Sequence, residues 1–257
     1  MLSRQISFLQ SLECDVIALQ EVSAANGDVL ESSGAFHWVW RALDLRPAAP
    51  HETTSRDRGC VIVARKEFRP VASPEILEGA AAPERTLVVR LDTGTQPLTV
   101  ASFHQVAGSD ALKWGRAKKR QTFEAIASWA AVHGRFTVFG IDANSPKVDH
   151  PDIDQNVYTR DEVQLEHLLH DPRRAPHQLR DVFRRYLEDH PLELDEIRRE
   201  RPTGPLAVSH VTRGGPRRFD HVFASPDLVP LRVTYRGDAL ADKLSDHAPV
   251  VVDLGPI

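Results

Sequence analysis

Five stretches of this sequence place carboxylates or imidazoles where a run of apolar residues stops. Glu21 stands near the end of DVIALQEV (Asp15–Val22), and His104 ends LTVASFH (Leu98–His104). Asp142 and Asn144 end FTVFGIDAN (Phe136–Asn144). Asp220 and His221 lie early in FDHVFAS (Phe219–Ser225), and Asp246 and His247 precede APVVVDL (Ala248–Leu254). Carboxylates carried on separate rigid strands can converge where strand ends gather, and convergence is what a hard cation needs. Mg²⁺ takes oxygen ligands in octahedral geometry and keeps several waters, so one or two carboxylates and a substrate phosphate complete its shell. A histidine beside such an ion can accept a proton from water; a second can neutralise a phosphate oxygen or protonate a leaving group. Each residue alone has a plainer reading. Gln20-Glu21 can be a turn, Asn144-Ser145-Pro146 invites an Asx turn, and a single His104 can be a structural histidine. Recurrence of the pattern on separate strands favours one joint site.

The elements that must position these residues are legible from periodicity. Leu2, Ile6, Leu9 and Leu12 recur at helical spacing, which predicts an amphipathic helix over residues 3–13. Strands are predicted at Asp15–Val22, Phe36–Leu43 and Gly59–Arg65, with a hairpin of Thr86–Asp92 and Leu98–His104 around Gly94. A helix fits Ala111–His133, followed by the strand Phe136–Asn144. Residues 145–200 are rich in Asp, His, Arg and Pro, with helical patches at Arg160–His170 and Leu179–His190. They read as a decorated connection, a helical insertion around 145–205 in one domain spanning 1–257. Strands return at Ala207–Val211, Phe219–Ser225, Leu231–Gly237 and Ala248–Leu254. Many strands with a few long helices predict an α+β or layered sandwich.

The bulk properties are those of an ordinary globular chain. At 257 residues it can bury roughly three-quarters of its unfolded surface without disulfide staples. A formal charge of −4 means that any anion binding must come from local clusters. Cys14 and Cys60 sit in or beside apolar runs; free thiols in a reducing compartment are expected, and a disulfide between them is the alternative. The first fifteen residues have neither the apolar core nor the cleavage site of a signal peptide. No stretch reaches the roughly 18 apolar residues of a membrane span. A cytoplasmic monomer is expected.

LQEV, SFHQ, GIDANSP, FDHVFAS and LSDHAPV resemble the successive motifs of the endonuclease/exonuclease/phosphatase superfamily, across Asp15 to Leu254. The resemblance implies a four-layer α/β sandwich of two packed, mostly antiparallel sheets flanked by helices. It also implies a divalent-metal-dependent phosphoesterase in which water attacks phosphorus in line, with Mg²⁺ as the ion and Mn²⁺ as its substitute. By position, Glu21 matches the family's metal-binding glutamate and Asp246 a second member of the metal site. Asp142 matches the aspartate that orients the nucleophilic water, and Asn144 the asparagine that contacts phosphate or metal. His247 matches the histidine acting on the nucleophile or the transition-state phosphate, and Asp220 the carboxylate that orients it. His104 matches a phosphate-binding or leaving-group histidine. His221 has no counterpart and is read as structural.

Two features depart from the family. The family begins with one more strand, bearing an asparagine, immediately before the first helix; residues 1–257 start at that helix, so three outcomes are expected alternatives: a start misassigned or trimmed, another segment filling the gap, or a strand lacking and activity impaired. Substrate is the second. Arg213, Arg217 and Arg218 precede Asp220 and are expected to grip phosphate. Lys113, Arg116, Lys118, Lys119 and Arg120 are more simply a solvated helix face, and His51, Arg56 and Arg58 border the cleft in the loop before Gly59. A phosphodiester substrate is expected, nucleic acid foremost. A lipid or small-molecule phosphatase, or a non-catalytic binding relic of the fold, is the alternative.

Overall fold

A computed structural model describes residues 1–46, 58–105, 113–158 and 169–257. In chain order the elements are α1 (Leu2–Ser11), β1 (Val16–Ser23), α2 (Ala24–Ser32), β2 (Trp38–Arg41), α3 (Ala42–Leu45), β3 (Arg58–Ala64), β4 (Arg69–Pro70), β5 (Thr86–Asp92), β6 (Leu98–His104), α4 (Lys113–Val132) and β7 (Thr137–Asp142). They continue with β8 (Arg180–Asp181), α5 (Val182–Asp189), α6 (Pro191–Glu200), β9 (His210–Thr212), β10 (Gly215–Arg217), β11 (Asp220–Ala224), β12 (Leu228–Tyr235), α7 (Asp238–Ala241) and β13 (Val250–Pro256).

Six strands form one sheet in the order β4-β5-β6-β7-β11-β8, with β6 and β7 parallel. One of its faces carries Val88, Ala101, Phe103, Phe139 and Ile141, packed on Phe123, Ile126, Trp129 and Ala130 of α4. Its other face carries Leu87, Val89, Leu91 and Val100, packed on Cys60 and Ile62 of β3 and on Val16 and Ala18 of β1. The strand alternation of period two puts these sets on opposite sides. Beyond β3, Val61 and Val63 meet Ile6 of α1 and Leu30 of α2. The layers therefore run helix, sheet, sheet, helix, the expected four-layer sandwich.

The second sheet layer is in two pieces. One is β1-β3-β2, antiparallel; the other is the hairpin β12-β13, whose Val250, Val252 and Leu254 pack with Val138 and Val222 of the six-stranded sheet. Among the described residues no strand pairs with the outer edge of β1 or with the outer edge of β13. A cavity of about 830 Å³ lies between them.

Both cysteines are free, Cys60 buried and Cys14 half-buried. The helical patch at Arg160–His170 falls mostly outside the described residues, as do His51 and Arg56. The predicted helix at 111–133 is α4, and Leu179–His190 splits into β8 and α5. Helices α2 and α6 had no counterpart in the reading of periodicity. No described helix is long and apolar enough to cross a membrane.

Candidate active site

Three neighbouring strands bring three polar residues to one level. His104 is the register partner of Asp142 across β6 and β7, and Asp142 is the partner of Asp220 across β7 and β11. Asp142 is only 6 % exposed. Burial, together with the nearby Asp220 charge, pushes its carboxyl up to about 7. The chain then leaves the sheet through Asn144, at φ 46°. The Asn144 N–H donates to Asp142 Oδ1 at 3.0 Å, and its Nδ2 donates to the Gln105 carbonyl at 3.0 Å and to Asp142 Oδ2 at 3.4 Å. Asn144 thus makes the Asx turn that the sequence invites, and the turn aims the Asp142 carboxylate.

Glu21 arrives from the other sheet. The β1–β3 register shifts between Leu19 and Val22, so Gln20 and Glu21 form a bulge, and Glu21 sits at φ 56°. A bulge re-aims a side chain that regular alternation would point elsewhere. Gln20 Nε2 donates to Ser102 Oγ at 2.9 Å, and Ser102 donates to the Leu19 carbonyl at 3.0 Å, tying the bulge to β6. Arg58 Nη1 donates to Glu21 Oε2 at 2.8 Å.

Between Glu21 and Asp142 lies His104, its Nε2 at 3.4 Å from Glu21 Oε1 and 3.6 Å from Asp142 Oδ2. Its ring is buried. Burial, then the positive charges of Arg85, His247 and Arg58, push it down to about 3, so it is neutral at neutral pH. In this neutral form the ring lies between the two carboxylates and carries one N–H to donate.

His247 comes from the loop after α7. Its Nδ1–H donates to Asp220 Oδ2 at 2.7 Å, and its backbone N–H to Ser245 Oγ at 3.0 Å. Burial acts to lower the imidazole, but the Asp220 carboxylate outweighs it and raises it to about 9. Asp220 is itself fixed: Ser209 Oγ accepts from its N–H at 3.1 Å, and Tyr235 OH donates to its carbonyl at 3.0 Å. His210 bridges to His247 from β9, with ring centroids 4.3 Å apart, and its Nδ1–H donates to the Asp246 carbonyl at 2.7 Å. His210 is a site residue that motif reasoning missed. The signal was its place in AVSHV, another polar interruption of a valine-rich run.

The three arginines before Asp220 do not act alike. Arg218 is buried, its Nη1 on Asp149 Oδ2 at 2.7 Å, its Nη2 on both Asp181 oxygens at 2.8 and 2.9 Å, and its Nε on Tyr235 OH at 2.6 Å. The expectation that it grips phosphate is corrected: it braces the floor of the site through Tyr235. His221 belongs to the same network, with Nδ1 at 3.1 Å from Asp181 Oδ2 and Nε2 at 3.0 Å from the Ser145 carbonyl, as a structural residue. Arg217 closes its own turn, donating to the carbonyls of Pro216 and Gly214. Arg213, at the β9–β10 turn, is exposed.

Two donor sets could hold a cation. The carboxylate oxygens of Asp142 and Asp220 and a ring nitrogen of His247 lie within 4.8 Å of one another, as do donors of His210, Asp246 and His247. The chemistry fits a divalent ion: two adjacent carboxylates, one of them pushed up by burial and by the charge of the other, are relieved by a cation between them. Glu21 stands outside both sets, across His104.

The sequence matches the endonuclease/exonuclease/phosphatase family over residues 4–247. No sequence among the curated proteins matches it. Solved structures with the same fold include D. rerio TDP2 complexed with single-strand DNA product (13 % identity, TM-score 0.63, covering 99 % of this chain and 92 % of that one). Others are the Xenopus laevis APE2 catalytic domain (17 %, 0.64, 99 % and 90 %) and a Neisseria 3′ phosphatase, NExo, bound to product DNA hairpin (18 %, 0.60, 99 % and 95 %). With the family match spanning nearly all the strands that build this site, the chain belongs to the endonuclease/exonuclease/phosphatase family, whose members are metal-dependent enzymes hydrolysing phosphoester bonds.

Proposed function

We propose that this chain is a Mg²⁺-dependent phosphodiesterase acting on nucleic acid. The observation that carries this reading is the convergence within 4.8 Å of the Asp142 and Asp220 carboxylates, which suit a cation, and the His247 ring, which suits a phosphate, from strands and a loop far apart in sequence. Two of the structural relatives hold DNA products, which supports DNA as the first polymer to try. When bound, the metal would polarise a phosphoryl oxygen and acidify water.

The chain's own residues supply the rest. Asp142, aimed by the Asn144 turn, is placed to accept a proton from the attacking water. His247, held protonated by Asp220, offers Nε2–H to a phosphate oxygen as negative charge builds there. Asp220 fixes that tautomer and ring plane. Asn144 and the neutral His104 keep the Asp142 carboxylate aimed. Exposed Arg213 offers a cation to the polymer backbone.

A panel of single-stranded DNA, plasmid DNA, RNA and phosphoinositide, each with Mg²⁺ or excess EDTA, tests the reading. Cleavage of DNA only with Mg²⁺ is expected; turnover of phosphoinositide alone would replace the nuclease reading with a lipid phosphatase. Binding of DNA with no hydrolysis of any substrate would indicate the non-catalytic reading, which the open second layer favours.

A further inference from the structure

Helix α4 carries a lysine where its pattern calls for an apolar residue. Phe123, Ile126 and Ala130 belong to the stripe that this helix buries against the six-stranded sheet. Lys119 stands four, seven and eleven residues before them, on the same stripe. Its place in the basic run of Lys118, Lys119 and Arg120 suggests a solvated face, yet it is only 2 % exposed. An ammonium taken out of water needs fixed partners. Its Nζ donates to the Asn144 carbonyl at 3.1 Å and lies 5.9 Å from the centre of the Phe123 ring.

Asn144, Gln105 and Lys119 close a ring of hydrogen bonds, each side chain donating to the main-chain carbonyl of the next residue. Asn144 Nδ2 donates to the Gln105 carbonyl at 3.0 Å, Gln105 Nε2 to the Lys119 carbonyl at 2.9 Å, and Lys119 Nζ to the Asn144 carbonyl. Gln105 is buried and extends the β6–β7 ladder one step beyond His104, its N–H donating to the Asp142 carbonyl at 2.8 Å. The ring therefore ties α4 to the turn that aims Asp142. Asn144 lies in the left-handed region at φ 46°, which asparagine enters more readily than most residues but which its surroundings must hold. Lys119 holds the carbonyl of this residue and Gln105 holds its amide nitrogen, so main chain and side chain are both fixed. Bonds in such a chain polarise one another, and a charged donor makes the strongest link.

We propose that Lys119 is a positioning residue of the hydrolytic site, acting through the ring of Gln105 and Asn144 to hold the Asp142 carboxylate; this inference rests on the phosphodiesterase reading. Neither Lys119 nor Gln105 lines the cavity that Asp142 borders, so both act on the turn and not on substrate.

A double-mutant cycle with Asn144→Ala tests this. Lys119→Met keeps the length of the side chain and suits the apolar stripe. In the otherwise wild-type chain it should lower kcat about 10- to 100-fold and leave KM within about twofold. In Asn144→Ala, where the ring is already open, it should cost less than about twofold. A lysine that only supports the fold would cost the same factor in both backgrounds. NMR of the metal-free protein reads the contact without turnover. The wild-type Lys119 ammonium should give a proton–nitrogen correlation at neutral pH, which exchange with water erases for exposed lysines. The Asn144 carbonyl resonance, read through the Ser145 N–H, should move in Lys119→Met together with the Asn144 side-chain amide. Where Lys119→Met does not fold, Lys119→Gln, a shorter neutral donor, replaces it in both arms. Absence of hydrolysis by the wild type would reject the phosphodiesterase reading and leave the NMR arm to decide the role of the ring. Non-additive losses with the expected shifts support the proposal. Equal losses in the two backgrounds, an Asn144 carbonyl and side-chain amide that do not move, or a missing ammonium correlation overturns it.

Discussion

His247 and Asp220 are joined by a 2.7 Å hydrogen bond that crosses from the loop before β13 to the first residue of β11. The bond holds the imidazole with Nδ1 occupied and Nε2 directed away from Asp220. His247→Ala should lower kcat/KM for a phosphodiester by about 10²–10⁴. Asp220→Asn should keep the ring but remove the charge that raises it to about 9, so the alkaline limb of the pH–rate profile should move to lower pH. An unchanged limb would show that Asp220 does not set the protonation of His247.

Metal-free protein should lose stability as pH rises from about 6.5 to about 9. His247 is raised from 6.5 to about 9 in the fold, so its contribution is complete below 6.5 and lost as pH passes 9. Below 6.5 two groups oppose each other: Asp142, raised from 3.8 to about 7, makes stability fall with rising pH, and His104, lowered from 6.5 to about 3, makes it rise. Thermal melts in EDTA should show the fall above pH 6.5, and Asp142→Asn should leave stability rising with pH between about 4 and 6.5. Added Mg²⁺ should raise Tm more at pH 8 than at pH 5.

Most of the candidate site is legible in the sequence because strand ends are marked twice, by an apolar run and by the polar residue that stops it. Glu21, Asp142, Asp220, Asp246 and His247 were all found that way, and they line one cavity. What periodicity could not supply was the direction of a side chain after an irregularity. Arg218 looked like its neighbours Arg213 and Arg217, yet only a folded chain brings Asp149 and Asp181 to it from 69 and 37 residues away. The neutral state of His104 likewise depends on burial and on three distant cations. Helix α2 was missed because AANGDVLES has only Gly27 and Leu30 buried, with Ser23 as its N-cap signal.

Arg218 and Arg213 should respond oppositely to removal. Arg218→Met leaves Asp149 and Asp181 buried with a lost partner, which should cost about 3–5 kcal/mol and lower Tm by roughly 10 °C. Arg213→Ala should leave Tm unchanged and weaken DNA binding, with a salt slope reduced by about one ion. Chemical denaturation and a salt series of binding isotherms separate the two. A stable Arg218→Met protein with weakened DNA binding would restore Arg218 as a substrate contact.

Glu21→Gln should be nearly silent in stability, since the Arg58–Glu21 pair is half exposed on both sides and such pairs contribute about 0–1 kcal/mol. Its effect should appear in turnover, as a loss of kcat of about tenfold or more, together with a higher Mg²⁺ requirement. An unaltered Mg²⁺ dependence would place Glu21 outside the metal's surroundings.

Hydrolysis of bis-(p-nitrophenyl) phosphate by the wild-type chain and by Asp142→Asn, each with Mg²⁺ and with excess EDTA, tests the convergence of these residues most directly. Hydrolysis by the wild type with Mg²⁺ alone, and a loss of about 10² or more in Asp142→Asn, is the expected result. Full activity in EDTA, or an Asp142→Asn protein as active as the wild type, would contradict it.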